Sequence, residues 1–126
     1  MRLSDFEVEV MQLFWQQERL SAPEAHERLG ERKGVTYSTI KTIIDRLEQK
    51  AALVRGAKEG RTIYYQAKVK PEDIQKPMLR SFIDKVFGGK RNSLFVHLIE
   101  DEKLNSDDIA YLEKLIKDKK KQLKDK

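Results

Sequence analysis

Residues 36–47, TYSTIKTIIDRL, place two different surfaces on one predicted helix. The side chains on its polar side are mostly hydrogen-bond donors, and Asp45 is the single acid among them. Thr36 is the expected N-cap. The pattern predicts a helix that packs on its own domain with one side and lies against an acidic partner with the other. The apolar side follows the i, i+3, i+4, i+7 spacing of a buried stripe: Ile40, Ile43, Ile44 and Leu47.

Two capping-box patterns precede this stretch and predict two short helices. Ser4 with Glu7 begins the first helix, and Ser21 with Glu24 begins the second, because each serine and glutamate can satisfy a free backbone amide. Gly30 is the expected residue after the second helix, and a break, ERKG, then leads into the third. Three short helices in this order are typical of a helix-turn-helix.

Residues 53–66, LVRGAKEGRTIYYQ, change to the pattern of a β-hairpin. β-prone residues stand on both sides of the turn pair Glu59-Gly60. A helix-turn-helix followed at once by such a hairpin predicts a winged helix, which is mainly α with a small β-hairpin wing. Three cations would make the tip of this wing basic: Arg55, Lys58 and Arg61.

The C-terminal part predicts a helical dimerisation region. Pro71 and Pro77 are expected to confine the next helix to about residues 76–87, and further helices follow near residues 93–101 and from Asn105 or Ser106. These helices have broad apolar faces without a centre of their own, and a second copy of the chain would cover them. We therefore predict a winged-helix DNA-binding domain at 1–70 and a dimerisation domain at 71–126. The predicted dimer interface is Phe82, Val86, Leu94, Phe95, Leu98, Ile109, Leu112, Leu115 and Ile116.

Composition and charge favour a nucleic-acid partner and exclude several other classes. The 126 residues contain 26 Lys and Arg against 21 Asp and Glu, and residues 31–70 alone hold ten basic and four acidic side chains. There is no cysteine, which excludes disulfides and thiol chemistry. No apolar run reaches the ~20 residues of a membrane span, and no secretory signal is visible. We expect a cytoplasmic protein without membrane insertion.

No pattern of catalytic or metal-binding side chains is visible. His26 and His97 lie far apart and neither begins an H-x-x-x-H spacing. The segment GAKEG lacks the strand–loop–helix order and the ending of a phosphate-binding loop. We therefore predict no enzymatic activity, no catalytic residue, no metal and no cofactor.

The polar side of residues 36–47 matches what a recognition helix needs. Such a helix presents small polar and basic side chains at the end that enters the major groove. Thr42 and Arg46 lie further along and are expected to contact phosphates, as are Lys58 and Arg61 of the wing. Tyr37 either stacks on the DNA backbone or covers the core. The side chains expected to contact bases are Thr36, Ser38, Thr39 and Lys41.

Two other interpretations remain open. An ordinary amphipathic helix explains the apolar stripe equally well, although it does not explain the donor-rich side followed by a basic wing. A winged helix can also serve as a protein–protein adaptor without specific DNA binding.

Tyr64 and Tyr65 alternate on the second strand, so that one faces the core and the other faces DNA or solvent.

Four segments together resemble the penicillinase-repressor family of the BlaI, MecI and CopY type: LSDFEVEVMQLFW, YSTIKTIIDRL, EGRTIYY and FIDKVFGG with the NSLFVHLIEDEKL region after it. The resemblance extends from Leu3 to about Ile116. It implies a winged-helix repressor that binds a palindromic operator as a homodimer and controls β-lactam-resistance or related stress genes. It also implies base contacts by Thr36, Ser38, Thr39 and Lys41.

The resemblance further implies a route of inactivation. Family members paired with a membrane sensor metallopeptidase are cut at an Asn-Phe bond in the fifth helix, and the same position here is His97-Leu98. The sequence therefore departs from the family at the regulatory cleavage site. The copper-responsive branch ends in a cysteine-rich motif, and this cysteine-free chain cannot sense copper by that route.

Overall fold

The structure is a computed structural model that describes residues 1–125 and divides into two compact units, Met1–Met78 and Leu79–Lys126. The helices are α1 (Asp5–Gln16), α2 (the consecutive turns Ala22–Ala25, His26–Gly30 and Glu31–Lys33), α3 (Tyr37–Gln49), α4 (Pro71–Phe87), α5 (Arg91–Ile99) and α6 (Ser106–Lys124). The strands are β1 (Leu20–Ser21), β2 (Leu53–Glu59) and β3 (Thr62–Ala67). The fold is therefore mainly α with a small antiparallel sheet, as predicted.

The predicted caps of the first three helices are present. The Ser4 amide donates to Glu7 Oε1 at 2.8 Å and the Glu7 amide donates to Ser4 Oγ at 3.2 Å, and Ser21 with Glu24 repeats this arrangement. Thr36 accepts a hydrogen bond from the Thr39 amide at 3.3 Å and caps α3. These pairs fix where each helix begins, because they satisfy amides that have no partner within the helix.

The predicted end of the second helix at Gly30 is wrong. Gly30 has helical backbone angles and is buried, and the helix continues through a π-helical turn to Lys33. Gly34, with φ of 71°, is the left-handed residue that ends it. A Cβ on Gly30 would lie 2.2 Å from His26 Cδ2 and 3.0 Å from Ile40 Cγ1. Glycine is needed there because the His26 ring, one turn earlier in α2, covers this position and Ile40 of α3 lies beside it.

Replacing Gly30 with alanine is expected to lower the free energy of unfolding by about 1–3 kcal/mol, measured by urea denaturation. In a helix with free space the same change raises stability by roughly 0.5–1 kcal/mol, so the sign of the effect is diagnostic. His26 cannot move away freely, because its Nε2 is hydrogen-bonded to Val35 O at 2.9 Å. The H26A/G30A double variant is expected to be less destabilised than the sum of the single changes. A G30A protein more stable than wild type would contradict the close approach.

The core of the first unit is built on α3. Ile40, Ile44 and Leu47 have no exposed surface and Ile43 has 7%, as the apolar spacing predicts. They pack in one cluster with buried side chains of α1, α2 and the sheet. The Trp15 indole lies at the edge of this cluster and donates to Val69 O at 2.9 Å. The polar side of α3 is consequently the only side left for a partner.

An ion pair between a buried carboxylate and an exposed ammonium links the start of α1 to the end of α3. Lys50 donates to Glu7 Oε1 at 2.8 Å and to Arg2 O at 2.9 Å. Burial alone raises the pKa of Glu7, but hydrogen bonds from Lys50 and Ser4 more than offset it and hold that pKa below its usual value. The carboxylate therefore stays ionised, and it fixes the C-terminal end of α3 in place.

The sheet has the order β1-β3-β2, and its hairpin confirms the predicted wing. The register pairs Arg55 with Tyr65 and Lys58 with Ile63, so a bulge lies between these two pairs. Gly60, with φ of 59°, occupies the turn at the tip. The two-residue strand β1, paired with β3 through Leu20 and Tyr65, is not predicted from the sequence because it is too short to show a period.

The helix limits after residue 70 differ from those predicted. α4 begins at Pro71 rather than near Lys76, and Pro77 lies inside it. A proline is tolerated in the first turn, and the interior proline is offset by packing of Ile74, 3% exposed, and of Met78 on the core of the first unit. α5 begins two residues earlier than predicted, at Arg91. Asn105 caps α6 through a capping box, as predicted.

Candidate nucleic-acid interface

The predicted contact residues form one exposed surface at the N-terminal end of α3. Thr36, Ser38 and Thr39 are exposed, and Thr36 Oγ1 lies 3.1 Å from the hydroxyls of both Ser38 and Thr39. Thr42 donates to the Ser38 carbonyl at 2.9 Å, and Arg46 is exposed further along the helix. The hydroxyls form a short network that can donate to or accept from an approaching surface.

Tyr37 is 43% exposed and does not cover the core. Its ring contacts His26 edge to face, with centroids 6.1 Å apart. His26 is itself hydrogen-bonded to the Val35 carbonyl in the turn between α2 and α3. Tyr37 therefore packs on a side chain that this turn holds in place. Of the two roles predicted for Tyr37, its exposed position is compatible with stacking on the DNA backbone and not with covering the core.

Lys41 is half-buried and paired with the one acid on this side of α3. Its ammonium donates to Asp45 Oδ1 at 2.5 Å, one helical turn away. This hydrogen bond raises the pKa of Lys41 above its usual value, burial opposes the effect, and the nearby Tyr65 hydroxyl adds to it. Lys41 therefore carries a full charge in the free protein, held in a defined position.

The wing supplies two further cations. Lys58 and Arg61 are exposed near the tip, and neither takes part in an ion pair with any of residues 1–125. Arg55, predicted as part of the basic tip, instead lies in the stem opposite Tyr65, where it donates to Glu48 Oε2 at 2.7 Å. The basic tip consists of Lys58 and Arg61 because Glu48 of α3 engages the third cation.

Arg19 fixes the wing and was not predicted. It donates to Glu59 Oε1 at 2.8 Å, and its guanidinium lies 4.0 Å from the centre of the Tyr64 ring. The hydrogen bond to Glu59 raises the pKa of Arg19 further. Tyr64 thus faces Arg19, whereas Tyr65 is buried in the core. The contact joins residues 40 positions apart, and no local sequence signal indicates it.

The predicted dimer-interface residues keep exposed surface within a single chain. Leu94 and Leu112 are half-buried, and the other seven are exposed, Val86 and Ile116 by 60% and 55%. Five further apolar side chains that are not among the predicted interface residues are exposed in the same unit: Leu79, Val96, Ile99, Tyr111 and Leu123. So much apolar surface on one small unit is unusual for a monomer.

His97 and Leu98, the predicted cleavage position, lie in α5 and are exposed. The His97 ring packs on Phe87 with centroids 5.6 Å apart, and Phe87 packs on Phe82 at 5.7 Å.

Within residues 1–125 no helix is both long and apolar enough to cross a membrane. Over the same residues, no three His, Asp or Glu side chains are grouped as a metal site.

The chain is similar in sequence to a known family and to several of its members. The penicillinase repressor family pattern matches residues 3–118. The penicillinase repressor of Staphylococcus aureus is 30% identical over 116 residues, 92% of this chain and 91% of that protein, and the methicillin resistance regulatory protein MecI of S. aureus strain N315 is 32% identical over 117 residues, 93% and 94%.

A solved structure is similar to the first part of the chain. It is the Bacillus licheniformis BlaI monomer in complex with the blaP half-operator, 32% identical, with a TM-score of 0.50 over 58% of this chain and 88% of that one. The winged-helix prediction and the predicted family are both confirmed. The chain belongs to the penicillinase repressor family.

Proposed function

We propose that this protein is a sequence-specific DNA-binding transcriptional repressor that acts as a homodimer on a palindromic operator. The observation that supports this best is the donor-rich, exposed end of α3 together with two wing cations that have no ion-pair partner among residues 1–125. One relative is named as a penicillinase repressor and another as a methicillin resistance regulatory protein. The BlaI protein of the similar structure was solved on a half-operator, which is consistent with the same use of this surface.

In the proposed complex the N-terminal end of α3 enters the major groove. Base edges there present distinct donor and acceptor patterns, and hydroxyl and ammonium groups can distinguish them. Thr42, Arg46, Lys58 and Arg61 contact phosphates on either side, and Tyr37 packs on the backbone. The side chains that contact bases are Thr36, Ser38, Thr39 and Lys41.

Dimerisation through the C-terminal helices would double this interface. Each protomer contacts one half-site, and a two-fold dimer then requires half-sites about 34–36 Å apart, or a multiple of that distance, on one face of the duplex. Burial of the exposed apolar side chains of α5 and α6 supplies the driving force for association.

The regulated genes proposed here are those of β-lactam resistance or a related stress response, by analogy with the relatives' names. The protein would act in the cytoplasm, where the operator lies. Inactivation by a sensor metallopeptidase would require cleavage between His97 and Leu98, and an enzyme that selects Asn-Phe would not cut there. A stable full-length protein after treatment with such an enzyme would indicate another route of release.

The proposal is tested by selecting bound duplexes from random DNA and measuring affinity at physiological salt. We expect the selected duplex to be palindromic and to bind at least about 10³-fold more tightly than a scrambled duplex of equal length. Equal affinity for the two duplexes would contradict sequence-specific repression and favour an adaptor function.

Replacing both Lys58 and Arg61 with glutamine is expected to weaken binding to selected and scrambled duplexes by similar factors. These side chains are predicted to contact phosphates, and each lost contact reduces the slope of log affinity against log salt by about 1. Anisotropy titrations at several salt concentrations measure the slope. The matched control is K119Q/K120Q in α6, which removes the same charge far along the chain from the wing. An unchanged slope for the wing variant would exclude the predicted contacts.

A further inference from the structure

The buried tyrosine of the wing, Tyr65, is fixed from several sides. It stands on β3, the central strand of the sheet, and pairs with Leu20 of β1 and with Arg55 of β2. Its ring is 1% exposed and belongs to the same hydrophobic core as the apolar stripe of α3. The Arg55 guanidinium lies 5.9 Å from the centre of this ring and is itself bound to Glu48 of α3. Strand pairing and core packing therefore hold the ring in one position.

The hydroxyl of Tyr65 lies next to the Lys41 ammonium. The oxygen has less than 1 Å² of accessible surface, so a side chain of the protein can use it as an acceptor but solvent cannot. Tyr65 and Lys41 line the same cleft between α3 and the wing. The bond to Asp45 is the main cause of the raised pKa of Lys41, and the adjacent phenol oxygen contributes to it by favouring the ammonium. The wing strand thus reaches the polar side of α3 at this one lysine.

Lys41 is consequently held from two directions. Asp45 engages its ammonium from one turn further along α3, and Tyr65 adjoins it from β3. An ammonium has three N–H donors, so these two neighbours leave one donor for a partner outside the protein. The Lys41 side chain is 33% exposed, which gives such a partner access. A free lysine side chain samples many rotamers, and a contact made by a held one loses less conformational entropy.

We propose that Tyr65 is a positioning residue for the base contact of Lys41. Its hydroxyl accepts one N–H of the ammonium, and another N–H is thereby directed toward an acceptor on a base edge, such as guanine O6 or N7 or thymine O4. The inference rests on the proposed function, because it requires Lys41 to contact a base. Tyr65 itself does not contact DNA, and it acts on sequence preference only through Lys41.

The decisive variant is Tyr65→Phe, which removes the hydroxyl and keeps the ring. Thermal unfolding is expected to change little, since the ring supplies the packing. Discrimination between selected and scrambled duplexes is expected to fall about three- to tenfold, the usual effect of losing one hydrogen bond. The slope of log affinity against log salt should stay the same, because no phosphate contact is lost. The matched control is Tyr64→Phe, which removes the hydroxyl of the ring that faces Arg19 and should leave discrimination unchanged.

A double-mutant cycle tests whether Tyr65 acts through Lys41. The four proteins are wild type, Tyr65→Phe, Lys41→Ala and the double variant, and the measured quantity is the ratio of affinities for the two duplexes. In the Lys41→Ala background the Tyr65→Phe change is expected to have no further effect on this ratio. Additive losses would show that the hydroxyl acts independently of Lys41, and they would overturn the proposal.

A measurement without DNA tests the contact itself. The lysine ammonium groups of the full-length protein are observed by ¹H–¹⁵N NMR at low temperature, and the Lys41 signal is assigned by its absence in Lys41→Ala. A held ammonium exchanges its protons with water slowly. The Lys41 signal is therefore expected to be resolved in wild type and in Tyr64→Phe, and to be lost in Tyr65→Phe.

The two sets of measurements separate this inference from the proposed function. A Lys41 signal that is equally strong in Tyr65→Phe would overturn the positioning role, and so would an unchanged ratio of affinities. If wild type selects no duplex, the proposed function fails and the base contact fails with it. The ammonium spectra then decide by themselves whether Tyr65 holds Lys41.

Discussion

Replacing Leu112 and Leu115 with glutamate is expected to convert the protein to a monomer and to reduce its affinity for a palindromic duplex by about 10²-fold or more. Leu115 is 48% exposed on α6 and Leu112 is half-buried, so the changes cause little strain within one chain. In a dimer the new carboxylates would be buried without partners. The loss in affinity is large because two half-sites bound by one molecule gain from effective concentration.

Light scattering and operator titration measure the two effects separately. The matched control is K114Q/K121Q, which changes the net charge by the same amount on the opposite side of α6 and should remain dimeric. Affinity for a single half-site should be similar in all three proteins. A glutamate variant that remains dimeric and binds normally would place the interface elsewhere.

Replacing Lys41 with alanine is expected to reduce discrimination between selected and scrambled duplexes by roughly 10- to 100-fold. A well-placed contact from one side chain to a base contributes about 1–3 kcal/mol of discrimination. Unfolding should change little, because the Asp45 ion pair that is lost lies at a partly exposed position. The effect differs from that of the wing variant, which is expected to weaken both duplexes alike.

Fluorescence anisotropy with the two duplexes at one salt concentration measures this discrimination. Lys76→Ala is the control, since Lys76 is exposed on α4 and outside the predicted interface. Ser38→Ala should show a smaller loss in the same direction. If K41A weakened both duplexes equally, Lys41 would be assigned to a phosphate rather than to a base.

Local patterns in the sequence were sufficient for much of the fold. The caps at Ser4, Ser21 and Thr36 depend on residues three positions apart, and the apolar stripe of α3 depends on one helical period. Gly30 could not be assigned correctly, since glycine serves both helix ends and close helix contacts. Only the positions of His26 and Ile40 in space decide between them.

The candidate site was predicted in outline from the same local patterns. The exposed hydroxyls and the wing cations follow from helix and hairpin spacing, whereas the engagement of Arg55 by Glu48 follows from how the hairpin packs on α3. The interface at α5 and α6 remains a prediction because a single chain contains no partner to cover it.

The attachment of the wing by Arg19 bears on how fast the protein can find its site. Arg19 contacts Glu59 and the Tyr64 ring, so the hairpin is already ordered before the protein meets DNA. The conformational entropy of that segment is lost during folding, and association then resembles the docking of a rigid body. We therefore expect the association rate constant to be governed by charge and ionic strength rather than by a slow rearrangement of the wing.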